Sequence, residues 1–316
     1  MTLTSEPRSI AVIGAGGVGC LLAGMLARRG VDVRLLARGA ALAAIRERGI
    51  RVRAHDGEYT VSIDRISDDV SALGTADLMI VTVKTWQLAE LGPRLAPLVG
   101  AEALVLPLQN GVEASEHLAA ALGEERVIGG VARVISWIER AGEVRSIIPA
   151  GLTIGARSAG QRDATEACAA ALRAAGVEVV VAEDIELERW RKFLFIAPYS
   201  ALGAVTRVPL GAVRQPPHRA RLEAAMREVV AVAAARGVRL PADAVAATLA
   251  WYDSLPRDAT TSMHRDIAAR RTSELYELIG AVVRLGGAAQ IATPVSAELF
   301  AELEPLERKA RGLAGP

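Results

Sequence analysis

The sequence predicts two domains, an α/β half built on a mostly parallel sheet and then an all-α half. Three observations carry this reading. The chain has 316 residues, enough for about two domains of roughly 150 residues each. In its first half, short β-rich runs alternate with helical segments. After about Asp184 the strand signal disappears. Predicted strands are Ser9–Ile13, Asp32–Ala37, Leu78–Val83, Ala103–Leu106, Val127–Val134 and Glu178–Val181, all rich in aliphatic and β-branched residues. Val18–Arg29, Ala40–Arg48, Trp86–Leu91, Ser115–Leu122 and Ala164–Ala175 read as the helices between them. Such alternation implies parallel strands with helices on both faces. The second half predicts helices over Glu186–Ala204, Pro217–Arg236, Ala242–Trp251, Arg265–Arg284 and Pro294–Ala310, punctuated by Pro209, Pro216–Pro217, Gly237, Pro241, Pro256 and Gly286–Gly287. The expected domains are residues 1–183 and 184–316.

Composition excludes several functions. With 51% hydrophobic and 23% charged residues the chain can bury a core. Its 37 basic and 36 acidic residues nearly cancel, and no basic stripe invites nucleic acid. Two cysteines, Cys20 and Cys168, exclude a disulfide scaffold and a C-x-x-C motif and fit a reducing, cytoplasmic compartment. His55, His117, His218 and His264 have no metal-ligand spacing, so no metal is expected. Ser9–Ala27 carries no charge and by hydropathy alone could be a signal peptide or a membrane span. Its five glycines argue against a helix, at about 1 kcal/mol each, and favour strand, turn and helix. No membrane partner is expected.

The turn in question, Gly14-Ala15-Gly16-Gly17-Val18-Gly19, matches G-x-G-x-x-G. The first glycine permits the tight turn, the second lets backbone approach a pyrophosphate, and the third lets helix pack on strand. A lone match is weak, but here it follows an apolar strand and opens a helix. The next strand should end on Asp or Glu if the ribose carries free hydroxyls. It ends Ala37-Arg38, with Asp32 at the wrong end. An arginine there suits a 2′-phosphate, which favours NADP(H) over NAD(H), although Arg38 could also be a solvated surface residue.

Only three of the 37 cationic residues are lysines (Lys84, Lys192 and Lys309), and Asn110 is the one asparagine in the chain. Against such a background, a surviving lysine or asparagine points to a task that arginine or aspartate cannot perform. Lys84 and Asn110 are expected at the C-terminal ends of adjacent strands, where open α/β sheets bind ligands; Asn110-Gly111 also reads as an ordinary turn. Lys192 lies in an apolar helix with Trp190, Phe193, Phe195 and Tyr199. Desolvation there would lower its pKa and suit it to proton transfer, whereas a lysine snorkelling from an amphipathic helix is the plainer alternative.

Gly-Ala-Gly-Gly-Val-Gly, Val-Lys84-Thr-Trp-Gln, Gln-Asn110-Gly, Trp-Arg-Lys192-Phe and Thr-Ser262-Met…Glu274, in that order, resemble the ketopantoate reductase (2-dehydropantoate 2-reductase) family over nearly the whole chain. The resemblance implies a Rossmann-type domain followed by a helical domain like the C-terminal one of 6-phosphogluconate dehydrogenase, with the active site in the cleft between them. It implies that Lys192 gives the proton to the substrate carbonyl, Lys84 and Asn110 contact the cofactor near the reacting carbon, Ser262 holds the substrate carboxylate, and Glu274 touches cofactor or the substrate hydroxyl. Read from the residues alone, Ser262 belongs to a Thr260-Thr261-Ser262 helix cap, and Glu274 sits mid-helix, where a solvated face is the plainer expectation. The chain departs from the family pattern where asparagines follow the lysine by four and eight residues. Ile196 and Ser200 stand there, and Leu210 stands approximately where a third falls. Spacing of four puts Lys192, Ile196 and Ser200 on one helix face, so the substrate wall is less polar and preference is relaxed or redirected.

The expected activity is NADPH-dependent reduction of a small 2-oxo acid or related ketone by a monomer or homodimer. The alternatives are alcohol oxidation or reductive amine coupling on the same fold, or a non-enzymatic NADP(H) sensor.

Overall fold

The computed structural model describes residues 7–313, and the chain folds into two compact units. One comprises residues up to Gln109 together with Glu113–Glu188; the other comprises Asn110–Val112 and the chain from Arg189. The first unit is organised around a five-stranded parallel sheet of β1 (Ser9–Ile13), β2 (Asp32–Leu36), β5 (Arg65–Ser67), β6 (Ala76–Val81) and β7 (Val99–Pro107), in the order β5-β2-β1-β6-β7. Alternation along β1 divides two cores. Ile10 and Val12 face a cluster with Leu21, Leu22 and Leu26 of α1 (Gly17–Arg28), while Ala11 and Ile13 face one with Leu88 and Leu91 of α3 (Leu88–Leu95) and Leu118 of α4 (Ala114–Leu122). The strand order reverses at β1, with β2 on one side and β6 on the other, and this is the switch point where such sheets bind ligands.

Two small sheets stand apart from the central one. β4 (Gly57–Val61), β3 (Ile50–Ala54), β10 (Glu143–Ser146) and β9 (Ser136–Arg140) form one, and β12 (Glu178–Val181), β11 (Gly151–Gly155) and β8 (Gly129–Arg133) form the other. Both are mixed, so the predicted parallel architecture holds for the central sheet alone. Of the strands in these two sheets the sequence predicts only those matching β8 and β12 of the second, and it assigns them to no separate sheet. The missed strands are at most five residues long, and β4 and β9 are largely exposed, so they carry weak periodicity and escape a sequence reading.

The second unit is helical: α6 (Ile185–Thr206, within this unit from Arg189), α7 (Leu210–Val213), α8 (His218–Ala235), α9 (Ala244–Ser254), α10 (Ser262–Ala268), α11 (Ile279–Ala288) and α12 (Pro294–Ala310) surround one core. The predicted helix Arg265–Arg284 is wrong. Arg270 takes a left-handed φ of 56° and ends α10, and residues 271–278 run without helix before α11. The chain there is held by tertiary bonds that local periodicity cannot reveal: Ser273 N and Oγ both donate to Glu307 of α12. Among the described residues no helix is long and apolar enough to cross a membrane.

Candidate active site

The glycine turn joins β1 to α1 at the switch point. Gly14 has φ +119°, and a Cβ on it would lie 3.0 Å from Val83 N. Gly19 is more constrained, since a Cβ would lie 1.9 Å from Gly14 O and 2.5 Å from Thr82 Oγ1. Thr82 Oγ1 braces the same turn by donating to Ile13 O and Gly14 O. Gly17 packs under Ser136 and Trp137, its would-be Cβ 2.7 Å from Ser136 O. Gly16 differs from these three: it is exposed, it caps α1 with φ −81°, and no atom of the described residues lies within 4 Å of its would-be Cβ. Among the described residues no neighbour explains the missing side chain at Gly16. The first turn of α1 carries no acidic residue, and no side chain caps it. Its free N–H groups and helix dipole therefore suit the anionic pyrophosphate of a dinucleotide. Ala15 and Val18 complete the turn, both partly exposed.

β2 stops at Leu36 rather than Ala37, and both of these residues are buried. Arg38 follows, exposed, as the N-cap of α2 (Gly39–Arg48). Asp32, at the opposite end, is engaged by Arg34 and Arg65 at 3.1 and 3.5 Å. No acid stands at the C-terminal end of β2 to meet a ribose.

Lys84 does not end its strand as expected. β6 stops at Val81, and Lys84 lies three residues on, before the 3₁₀ turn Thr85–Gln87 that replaces the start of the predicted helix Trp86–Leu91. Its N–H donates to Gln87 Oε1, and its Nζ lies 5.7 Å from the Trp86 ring centroid. Gln109, which the sequence did not single out, pins this loop: its Nε2 donates to Val81 O and Val83 O. Asn110 likewise lies three residues past β7 and packs with the helical unit. There, Asn110 Nδ2 donates to Glu274 Oε2 at 3.0 Å. Gly111 has φ +98°, with a would-be Cβ 2.8 Å from Glu277 O. Arg189 donates to Val112 O.

Glu274 is therefore not on a helix face. It sits in the irregular 271–278 segment and is only 4% exposed. Lys192, on α6, is partly exposed, whereas Trp190 and Phe193 turn into the core and meet edge to face. Phe195, Ile196 and Ser200, at spacings of three, four and eight, share its side of the helix. Ile196 is partly buried and Ser200 fully so, and the Ser200 Oγ has no hydrogen-bond partner within the described residues. A buried hydroxyl left unsatisfied is unusual and calls for a ligand or water. One turn further on, the His264 imidazole occupies the space beside Gly203, its Nδ1 3.3 Å from the would-be Cβ. Burial and Arg265 lower the pKa of His264. Ser262 opens α10, but Thr261 is the cap, its Oγ1 accepting from His264 N, so the Ser262 hydroxyl is spared that task. His264, Glu277 and Glu307 were not among the residues the sequence singled out, because only the fold brings them to this region of the helical unit. No group of three or more metal-ligating residues occurs among the described residues.

Two family models match the chain, "Ketopantoate reductase PanE/ApbA" over residues 10–159 and its C-terminal counterpart over residues 184–307. The 2-dehydropantoate 2-reductase of Halobacterium salinarum is 32% identical over 289 residues, covering 90% of this chain and 94% of that protein. The crystal structure of a PanE/ApbA family ketopantoate reductase from Ralstonia eutropha superposes with a TM-score of 0.88 at 34% identity, covering 96% of this chain and 99% of that one. A D-mandelate dehydrogenase with NADH and anilino(oxo)acetate shares the fold, with a TM-score of 0.88 at 21% identity over 96% of this chain and 99% of that one. Together with the sheet and helical units, these matches define an NAD(P)-dependent oxidoreductase acting on the CH–OH/C=O pair. The chain belongs to the ketopantoate reductase family.

Proposed function

We propose that this chain catalyses the NADPH-dependent reduction of a small 2-oxo acid, and that it does so in the cytoplasm, where its two free cysteines stay reduced. Residues 1–183 serve the dinucleotide and residues 184–316 the substrate. The reading rests above all on the pairing of Asn110 with Glu274. Two residues singled out separately and 164 positions apart meet at 3.0 Å, in the same unit as Lys192.

The Gly14–Gly19 turn and the N-terminus of α1 hold the pyrophosphate, and the open space at Gly16 admits it. Arg38, with no acid at the end of β2 to repel an anion, takes the 2′-phosphate and selects NADPH. Lys84, Asn110 and Glu274 contact the cofactor. When bound, the reduced dinucleotide supplies the hydride. Lys192 donates its Nζ proton to the alkoxide oxygen that develops on the substrate carbonyl and stabilises that charge as it forms. Ser262 binds the carboxylate. Ile196 and Ser200 present one aliphatic surface and one unsatisfied hydroxyl, so the favoured substrate carries a largely apolar group with at most one polar atom. The test is NADPH absorbance against a panel of 2-oxo acids, ketopantoate included, with and without amines. The reading expects turnover without amine and faster reduction of apolar oxo acids than of ketopantoate. No turnover of any member would overturn it.

A further inference from the structure

The 271–278 segment is tied to the C-terminal end of α12 by more bonds than a chain reversal requires. Glu307 is 1% exposed. Burying a carboxylate costs several kcal/mol unless it is paired and hydrogen-bonded. Glu307 accepts from Ser273 N at 3.1 and 3.0 Å, from Ser273 Oγ at 2.6 Å and from Arg311 Nε at 2.6 Å. Arg311 also donates to Ser273 O at 3.1 Å and lies over the Tyr276 ring. Ser273 directly precedes Glu274, whose carboxylate accepts from Asn110. On the other side, Gly111 is packed so tightly on Glu277 O that a side chain could not stand between them. The clamp at Ser273 thus fixes where the Glu274 carboxylate lies.

We propose that Glu307 and Arg311 are positioning residues, which act through Ser273 to hold the Glu274 carboxylate on the Asn110 amide. The inference rests on the reading of Asn110 and Glu274 given above.

The same geometry implies that the hold responds to pH. Glu277 and Glu307 share Arg311 as their nearby cation, which lies 4.0 Å from Glu277 Oε2 and 2.6 Å from Glu307 Oε1, and Glu274 adds its negative charge beside Glu277. Glu277 Oε2 is buried and accepts no hydrogen bond from the described residues. Burial first, and then Glu274 and Glu307 against the opposing pull of Arg311, push the Glu277 carboxyl up to about 7. Above that pH a further negative charge competes with Glu307 for Arg311.

Asn110 is the chain's one asparagine, so full-length protein labelled with ¹⁵N-asparagine gives a single side-chain NH₂ pair. In Glu307→Gln and Arg311→Ala, checked for folding by circular dichroism and melting, that pair should move toward solvent-exposed amide positions. Arg311→Lys should recover part of the shift, and Glu298→Ala, exposed on the same helix, should leave it in place. In the unaltered protein the pair should titrate with a midpoint near 7, and Glu277→Gln should abolish the titration. On kcat, Glu307→Gln should cost about 10-fold alone and add nothing to Asn110→Ala, because residues acting through one contact are not additive. An unmoved Asn110 pair in the folded variants, or multiplicative losses of kcat, would overturn the proposal. Movement of the pair with no oxo acid reduced would refute the substrate reading and leave the positioning role intact.

Discussion

The glycine turn of the first unit and the Asn110 cluster of the second are built on opposite principles. The turn is six consecutive residues whose work is steric: Gly14, Gly17 and Gly19 each lie against backbone that a Cβ would strike, and Gly16 alone faces open space. The cluster joins Asn110, Ser273, Glu274, Glu277, Glu307 and Arg311, and its work is charge compensation away from water. Sites of the first kind tolerate changes elsewhere in the chain and fail on a single methyl group. Those of the second kind depend on distant residues and fail by degrees.

The largest effect should come where a single proton carrier has no substitute. Lys192→Met should lower kcat by about 10²–10⁴-fold with NADPH still bound, read by steady-state kinetics and fluorescence titration; an unchanged kcat would remove the lysine from the mechanism. Within the glycine turn the contrast sharpens. Gly19→Ala should weaken NADPH binding by about 100-fold and lower the melting temperature, since backbone must shift to admit the methyl group. Gly16→Ala should weaken binding by about 10-fold while leaving stability within about 1 kcal/mol, because the space it fills belongs to the ligand. Equal stability losses for the two would erase the distinction. Arg38→Ala should raise the Kd for NADPH by about 10-fold, one charge-assisted contact, and leave NADH unchanged; equal losses for both cofactors would refute the phosphate role.

A separate effect belongs to the cluster and concerns stability against pH rather than cofactor binding. The Glu277 carboxyl sits near 4.5 when unfolded and is pushed up to about 7 when folded. A raised carboxylate favours folding below the unfolded value, and that contribution is lost as pH rises through the folded one. Glu277→Gln should therefore match the unaltered protein near pH 4.5 and exceed its stability by about 1–3 kcal/mol at pH 8 in urea titrations. Parallel stability curves at both pH values would show that Glu277 ionises freely.

Legibility follows the same division. β1, the glycine turn and α1 could be read directly because their pattern is local: apolar alternation, glycines at steric positions, then a helical stripe. The strand ends were less legible. Lys84 and Asn110 each lie three residues beyond their strands, in loops held by Gln109 and Glu274 rather than by ladder bonds. The predicted helix through 265–284 failed because Leu275 and Leu278 keep helical spacing while Ser273 and Glu274 take their bonds from Glu307 and Asn110. The Glu307–Arg311 pair has i, i+4 spacing and is readable as a helix pair, but nothing in that spacing says that it captures Ser273.

By itself the sequence determined the two-part architecture, the dinucleotide turn and the rare residues worth watching. These rest on backbone sterics and hydrophobic period, which act over a few neighbouring residues. Only the tertiary structure decided which carboxylate meets Asn110, which cation compensates Glu277 and Glu307, and that the Ser200 hydroxyl is among those left unsatisfied. Those outcomes depend on desolvation and on hydrogen bonds between groups far apart in the chain, whose energies do not exist until the core has closed around them.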